Sequence, residues 1–466
     1  MALIFFSLAQ LMVVLDGTIV NLALPRLQEE LGISDSTRSW VVTGYALAFG
    51  ALLLLGGRIA DFWGRKKAFI WASAGFAAAS VIGGVAQDAS VLIGARALQG
   101  VFAALLAPAA LALLTVAFPG GKSRGTAFAI FGSLSGVGAA IGVLLGGYLT
   151  EYVSWRWCFY VNVPIAIVAL LGVAYSVTES KADGDTRYDW PGVVLAALGL
   201  GSLVYGFTNA EHGWAAPEAW GFILAGAVLM VLFVLVERSV RHPLLPLRVA
   251  TERNRGAAFL ASFLAGAVLI GGILFINFHL QIVLGFAPFM AGLASLPMTV
   301  VLILTAGIVA KNLPKLGAKI PTAAGPVFMA AAMLWLTRVS ADGTYLVDML
   351  PALVLMGVGL GLVFVPMQNL ALFGVGKDDA GAASALVNAS QQIGGSLGIA
   401  LFSTIAAAAT AAAGGPMLEA LSAGYSAVFL WAAVLALLIA PIALALITID
   451  KKTFSGAESE VPAVHL

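Results

Sequence analysis

Apolar runs of about twenty residues, each closed by a short polar break, recur along the whole chain. A helix needs about 20 mostly apolar residues to cross the hydrocarbon layer of a bilayer. By that rule the chain predicts fourteen spans, at 3–24, 39–60, 68–87, 91–116, 125–150, 157–177, 190–209, 217–236, 256–283, 288–310, 320–337, 348–373, 381–411 and 424–448. Breaks such as Gly64-Arg65-Lys66-Lys67 and Asp183-Gly184-Asp185 separate them. Almost no segment is left over for a water-soluble domain. The expected fold class is an all-α membrane protein.

Composition agrees. Of 466 residues, 61% are hydrophobic and 10% charged, against about 25% charged in a soluble domain. The 53 glycines suit close helix packing in lipid. A net charge of +1 implies no nucleic-acid partner. Cys158, the single cysteine, excludes an intramolecular disulfide. The N-terminus lacks a basic leader region, and its apolar stretch runs to Pro25. It reads as a first span ending there rather than as a cleavable signal.

Basic residues set the orientation, because cytoplasmic loops carry an excess of Lys and Arg. With the N-terminus inside, four of the 24 fall outside (Arg26, Arg38, Arg156 and Arg338), Arg96 falls within a span, and the other 19 are cytoplasmic. That bias supports an even count with both termini in the cytoplasm. Charged linkers at 178–189 and 237–255 divide the spans as six, two and six. The expected domains are an N-terminal six-helix bundle (1–178), a linker with two extra spans (179–255), a C-terminal six-helix bundle (256–450) and a tail (451–466). Two six-helix halves around a central path is a transporter plan.

Charges inside spans are costly and usually functional. Asp16 lies nine residues before Pro25, roughly 13 Å at 1.5 Å per residue. Arg96 lies eight residues after the external Asp88, roughly 12 Å by the same rise. The two therefore share a depth, and pairing, direct or through water, is expected. Burial disfavours a charged carboxylate and a nearby guanidinium favours it, so such a pair can load and release a proton. A static ion pair that only fixes helix packing is the plainer alternative.

Three further groups stand out. Gly57, Asp61, Gly64, Arg65 and Lys66 form the loop between spans two and three, where Asp61 could cap a helix or pair with an Arg across an inner gate. Gly138, Gly142 and Gly146, with Gly147 beside them, make a smooth face on span five for close packing or rocking. Tyr45, Asn277, Gln281, Gln368, Asn388, Gln391 and Gln392 are polar groups within apolar spans, each either a cavity residue or an interhelical hydrogen bond. Gly121-Lys122-Ser123 resembles the end of a phosphate loop, but Val116 stands where its first glycine belongs and no strand precedes it. No metal-ligand cluster, nucleophile motif or dinucleotide motif is present in the sequence.

These residues resemble the major facilitator superfamily, in its fourteen-span drug:proton antiporter branch of multidrug efflux type. Residues 15–25 look like the branch's first-helix signature, 57–67 like the inner-gate motif with Phe62 in place of a basic residue, and 92–100 like the span-four motif with its proton-transfer Arg. Ser154 through Pro164, Gln281 through Phe286, and Gly381 through Gly398 are also similar. Val143 departs from the Pro expected after Gly142, and Lys311 falls where an acid is common in the second half. The resemblance implies a major facilitator fold with two extra central helices. It also implies proton-coupled efflux of amphipathic organic compounds such as drugs, dyes or antibiotics across the cytoplasmic membrane. No enzymatic activity or cofactor is expected, the proton gradient being the energy source. Asp16 and Arg96 would couple the proton, and the scarcity of acids in the second half favours neutral or singly charged substrates. An exporter or symporter of one endogenous metabolite, and a non-transporting receptor or assembly factor of the same fold, are the competing expectations.

Overall fold

The computed structural model describes residues 2–118, 121–181, 189–210, 216–240, 243–245, 247–375 and 380–449. Most of the acidic linker (182–188) and the tail 451–466 lie outside the described residues. Among those described there is no strand. Fourteen long helices follow one another: α1 (Ala2–Leu31), α2 (Asp35–Trp63), α3 (Arg65–Val85), α4 (Ala89–Ala117), α5 (Gly121–Tyr152), α6 (Trp157–Ser176), α7 (Trp190–Asn209), α8 (Pro217–Ser239), α9 (Arg253–Val283), α10 (Pro288–Leu316), α11 (Lys319–Leu336), α12 (Tyr345–Leu372), α13 (Ala380–Ala413) and α14 (Met417–Leu446). Thirteen are long and apolar enough to cross a membrane, and in α5 the apolar stretch among described residues is Val137–Tyr152. The chain is an all-α membrane protein of roughly fourteen spans.

Local chemistry sets the helix starts. Ser34, Asp88, Asp189 and Glu252 accept backbone N–H groups from the first turns of α2, α4, α7 and α9, satisfying donors that have no partner within the helix. One boundary differs from expectation. Pro25 does not end the first element; α1 continues to Leu31. The proline removes one internal hydrogen bond near a helix end, where polar groups can replace it. Tertiary contacts hold the extra turn: Glu30 accepts from Trp155 Nε1 at 2.7 Å and pairs with Arg156 at 3.1 Å.

The N-terminal helices pack mainly as α1 on α5, α2 on α4 and α3 on α4, and the C-terminal helices as α11 on α12, α10 on α12 and α11 on α14. The two groups meet along α2 and α13 and along α5 and α10. Helices α7 and α8 form a hairpin set against this assembly. Their Val193, Ala196 and Phe233 pack with Leu55 of α2, and Thr404 of α13 donates to the Phe207 carbonyl at 2.7 Å. The added pair therefore lies across the α2–α13 contact, touching both groups.

Candidate functional site

Asp16 and Arg96 meet directly. Arg96 Nη1 lies 2.6 Å from Asp16 Oδ2, and the side chains are 1% and 0% exposed. Helix α4 places Gln99 one turn after Arg96, and Gln99 Nε2 donates to Asp16 Oδ1 at 2.9 Å and to Ser80 Oγ at 2.8 Å. Asn162, on α6, donates to the same Asp16 Oδ1 at 2.7 Å. Arg96 is satisfied in turn: Nε donates to the Val41 carbonyl at 3.0 Å and Nη1 to Gln99 Oε1 at 2.9 Å. The Tyr45 ring lies under the guanidinium, 4.4 Å from Cζ to centroid, in the range of a cation–π contact. Five helices thus converge on one carboxylate in an apolar shell. Gln99 and Asn162 were not singled out from sequence, although both stand in quoted motifs; position i+3 to Arg96 was the available signal for Gln99. Tyr45, read from sequence as either a cavity residue or an interhelical hydrogen bond, packs on this pair, with its hydroxyl donating to the Val13 carbonyl of α1 at 3.4 Å.

The segment 57–67, read from sequence as a loop, is helical apart from Gly64: residues 57–63 close α2 and 65–67 open α3. Asp61 Oδ1 accepts from Arg65 Nε and Nη2, both at 2.8 Å, across that one-residue break. The start of α3 is capped by Glu179, whose carboxylate accepts from the Lys66 and Lys67 backbone N–H groups at 3.0 and 3.1 Å. Lys66 Nζ donates to the Ala174 carbonyl at 2.7 Å. Gly64 has φ +126, and a Cβ there would lie 2.8 Å from Glu179 Cδ, so both conformation and space require glycine. Gly57 faces Pro108 of α4. Glu179 supplies the cap that sequence spacing offered to Asp61.

On α5, a Cβ at Gly138, Gly142 or Gly146 would meet Leu11, Thr18 and Ile19 respectively, all on α1. This face seats the helix that carries Asp16. It does not meet the C-terminal helices; Gly147 does, with a Cβ there 2.6 Å from the Pro288 carbonyl of α10. Glu151 accepts from the Phe289 backbone N–H at 3.0 Å at the same end. Nearby, Arg38 stacks on Phe278 at 3.7 Å and the Ser39 and Ser403 hydroxyls are 2.9 Å apart. Arg38, Ser39, Phe278 and Ser403 line a cavity of about 270 Å³ between α2, α9, α13 and α14.

The remaining polar residues do not gather into one cavity. Asn277 and Gln281 lie near the end of α9 that adjoins Phe278, whereas Gln368 lies near the opposite end of α12. Asn388 is exposed and donates to its own helix at Ser384. Gln391 abuts Gly266 and Gln392 abuts Gly50, both as close helix contacts. The sequence missed His279, fully buried on α9 with neither ring nitrogen hydrogen-bonded and Tyr425 edge-on at 6.3 Å. No group of three or more metal-ligating side chains occurs among the described residues.

Long helices thus enclose a buried charge pair whose hydrogen bonds are supplied by the chain itself. The sequence profile of the Major Facilitator Superfamily matches residues 6–399. Over 413 residues the chain is 46% identical to a puromycin resistance protein of Streptomyces alboniger, covering 88% of this chain and 82% of the relative. Over 460 residues it is 36% identical to a cephamycin export protein of Amycolatopsis lactamdurans, covering 98% and 94%. The chain belongs to the major facilitator superfamily. The fold is similar to a crystal structure of a peptide transporter in complex with sulfate, with a TM-score of 0.68 at 17% identity over 96% of this chain and 94% of that one.

Proposed function

We propose that this protein exports amphipathic organic compounds, antibiotics among them, across the cytoplasmic membrane in exchange for protons. Both termini are cytoplasmic, and residues 1–178 and 256–450 are the two halves that alternate access. The observation that carries the reading is the buried Asp16–Arg96 pair with its Gln99 and Asn162 donors. A proton arriving on Asp16 cancels the charge that holds Arg96, and Arg96 keeps its Val41 and Gln99 acceptors. Loss of that proton restores the pair. Gly138, Gly142 and Gly146 transmit the change by seating α1 on α5, and Gly147 carries it to α10. The loop of Asp61, Arg65 and Lys66 serves as the inner gate, and the contacts of Arg38, Ser39 and Glu151 hold the outer ends together in this conformation. The resistance and export relatives support antibiotics as the substrate class. The driving force suffices: one charge moving down 100 mV is worth about 2.3 kcal/mol, and each pH unit adds about 1.4 kcal/mol.

The test is transport in proteoliposomes with an imposed pH gradient, screened over dyes and antibiotics. Substrate-induced proton release is expected with the natural chain and absent in Asp16→Asn. Proton release unchanged in that variant overturns the reading.

A further inference from the structure

The cavity of about 270 Å³ lies between the start of α2, the C-terminal end of α9, the second half of α13 and the start of α14. Its shape follows from the residues on its walls. Helix α13 contributes Ser403, Ala406, Ala407 and Ala411, whose short side chains leave the space. Phe275 and Phe278 of α9 and Tyr425 of α14 face that gap with aromatic rings. Tyr425 is 3% exposed and packs edge-on against Phe275 at 5.7 Å and His279 at 6.3 Å. Its hydroxyl has no hydrogen-bond partner among the described residues. That oxygen is not sealed in by protein, so the accessibility it keeps is to the cavity that Tyr425 lines. The two charged residues on the wall, Asp35 and Arg38, pair with each other at 3.1 Å, and Arg38 stacks on Phe278 at 3.7 Å.

Packed interiors leave few voids larger than a water molecule, and a buried tyrosine hydroxyl usually finds a partner. Here an unusual void and an unpartnered donor coincide. An apolar cavity of about 150 Å³ stays dry and takes up benzene. The larger volume here holds one such ring with a short substituent, yet it falls below the roughly 300–1,000 Å³ of pockets for drug-sized molecules. Rings on the walls suit an aromatic occupant. The wall charges already pair, which favours an uncharged one, and the open O–H calls for an acceptor. We propose that this cavity binds an uncharged single-ring aromatic compound whose carbonyl or ether oxygen accepts from the Tyr425 hydroxyl. Such an occupant touches α2 through Arg38 and Ser39 and the C-terminal helices through the other walls. It is held while the Ser39 and Ser403 hydroxyls stand 2.9 Å apart, so it favours this conformation by its differential affinity. None of the Asp16 partners lines the cavity. Binding therefore stands apart from proton exchange, and only its consequence for transport, slower opening, rests on the alternation proposed above.

The probe is 4-fluoroacetophenone, followed by fluorine NMR with the full chain in nanodiscs and with empty nanodiscs as the blank. A saturable protein-bound resonance is expected. After correction for lipid partition, the ketone should bind about fivefold more tightly than 4-fluorocumene, which has the same outline and no acceptor; that is the worth of one neutral hydrogen bond. Tyr425→Phe keeps the ring and should erase the preference. Ala407→Leu fills the cavity and should abolish saturable binding of both compounds. Should that variant fold poorly, Tyr425→Phe, which removes a single oxygen, still decides the matter. Ser39 is 5% exposed, so maleimide labelling of Ser39→Cys reports separation of α2 from α13; Cys158 is buried. At about five times its dissociation constant the probe should slow that labelling about sixfold. The proposal is overturned by the absence of a saturable resonance, by equal binding of ketone and hydrocarbon in the natural chain, or by a preference that survives Tyr425→Phe. Binding undiminished in folded Ala407→Leu, or labelling that ignores the probe, overturns it as well. None of these readouts involves transport or a pH gradient, so failure of proton exchange at Asp16 leaves them intact, and their failure leaves that reading intact.

Discussion

The Asp16 site and the C-terminal end of α9 are both buried and polar, yet they are finished to different degrees. At Asp16, carboxylate, guanidinium and two amides exchange hydrogen bonds of 2.6 to 2.9 Å. On α9, Asn277 Oδ1, Gln281 Nε2 and both nitrogens of His279 have no partner. Buried polar groups cost most when left unmade and contribute modestly when paired. Among the described residues of the first region only Asn162 Oδ1 is left without a partner, and both charged groups are satisfied within the chain. The second carries four such atoms within five residues of one helix.

The largest expected effect tests the completeness of the first region. Asp16→Ala leaves Arg96 buried and unpaired, which should cost about 3–5 kcal/mol, read as a lowered thermal midpoint in detergent. A loss below about 1 kcal/mol would show that Arg96 finds another anion and that the region is not closed. Next, Asn162→Leu removes one donor to Asp16 while Gln99 remains. It should cost about 1.5–3 kcal/mol, the range for hydrogen bonds to charged groups, and a value near zero would reduce Asn162 to packing. On α9 the sign reverses. His279→Leu removes two unpartnered nitrogens at similar volume and should leave stability unchanged or raise it by about 1 kcal/mol. A clear loss would reveal a partner there and erase the contrast.

The smallest effect lies at the surface. The Ser90 hydroxyl and then the Val91 N–H, both donating to Asp88, hold its carboxyl below the usual range. That stabilisation is fully present above the ordinary carboxylate pKa, about 3.9, and is lost as pH falls through the lower folded value. Asp88→Asn should flatten the acid end of the stability curve slightly, without touching either buried region. An acid limb as steep as before would mean that another carboxylate controls it.

Much of the architecture was legible because membrane helices obey a one-dimensional rule. Length and apolarity locate them. The Asp16–Arg96 contact was legible for the same reason, since equal depth on two straight helices follows from residue counting. Partners fixed by lateral position were not. Glu179 caps α3 from more than a hundred residues away, and nothing in the spacing of 57–67 points to it. The glycine face of α5 was read from a spacing of four, but that spacing could not say that α1, rather than a C-terminal helix, fills it. The polar residues of the apolar spans meet the same limit: polarity marks a residue as inward-facing without saying which end or which neighbour it meets.

The sequence by itself determined the number of helices and the matching positions of Asp16 and Arg96 along theirs, because the bilayer imposes a length and a cost on every span. Only the tertiary structure decided which helix stands beside which. Adjacency is set by close packing between faces that all look apolar in sequence. It made Asp16 the focus of five helices, gave Tyr45 to Arg96 and left His279 without a partner.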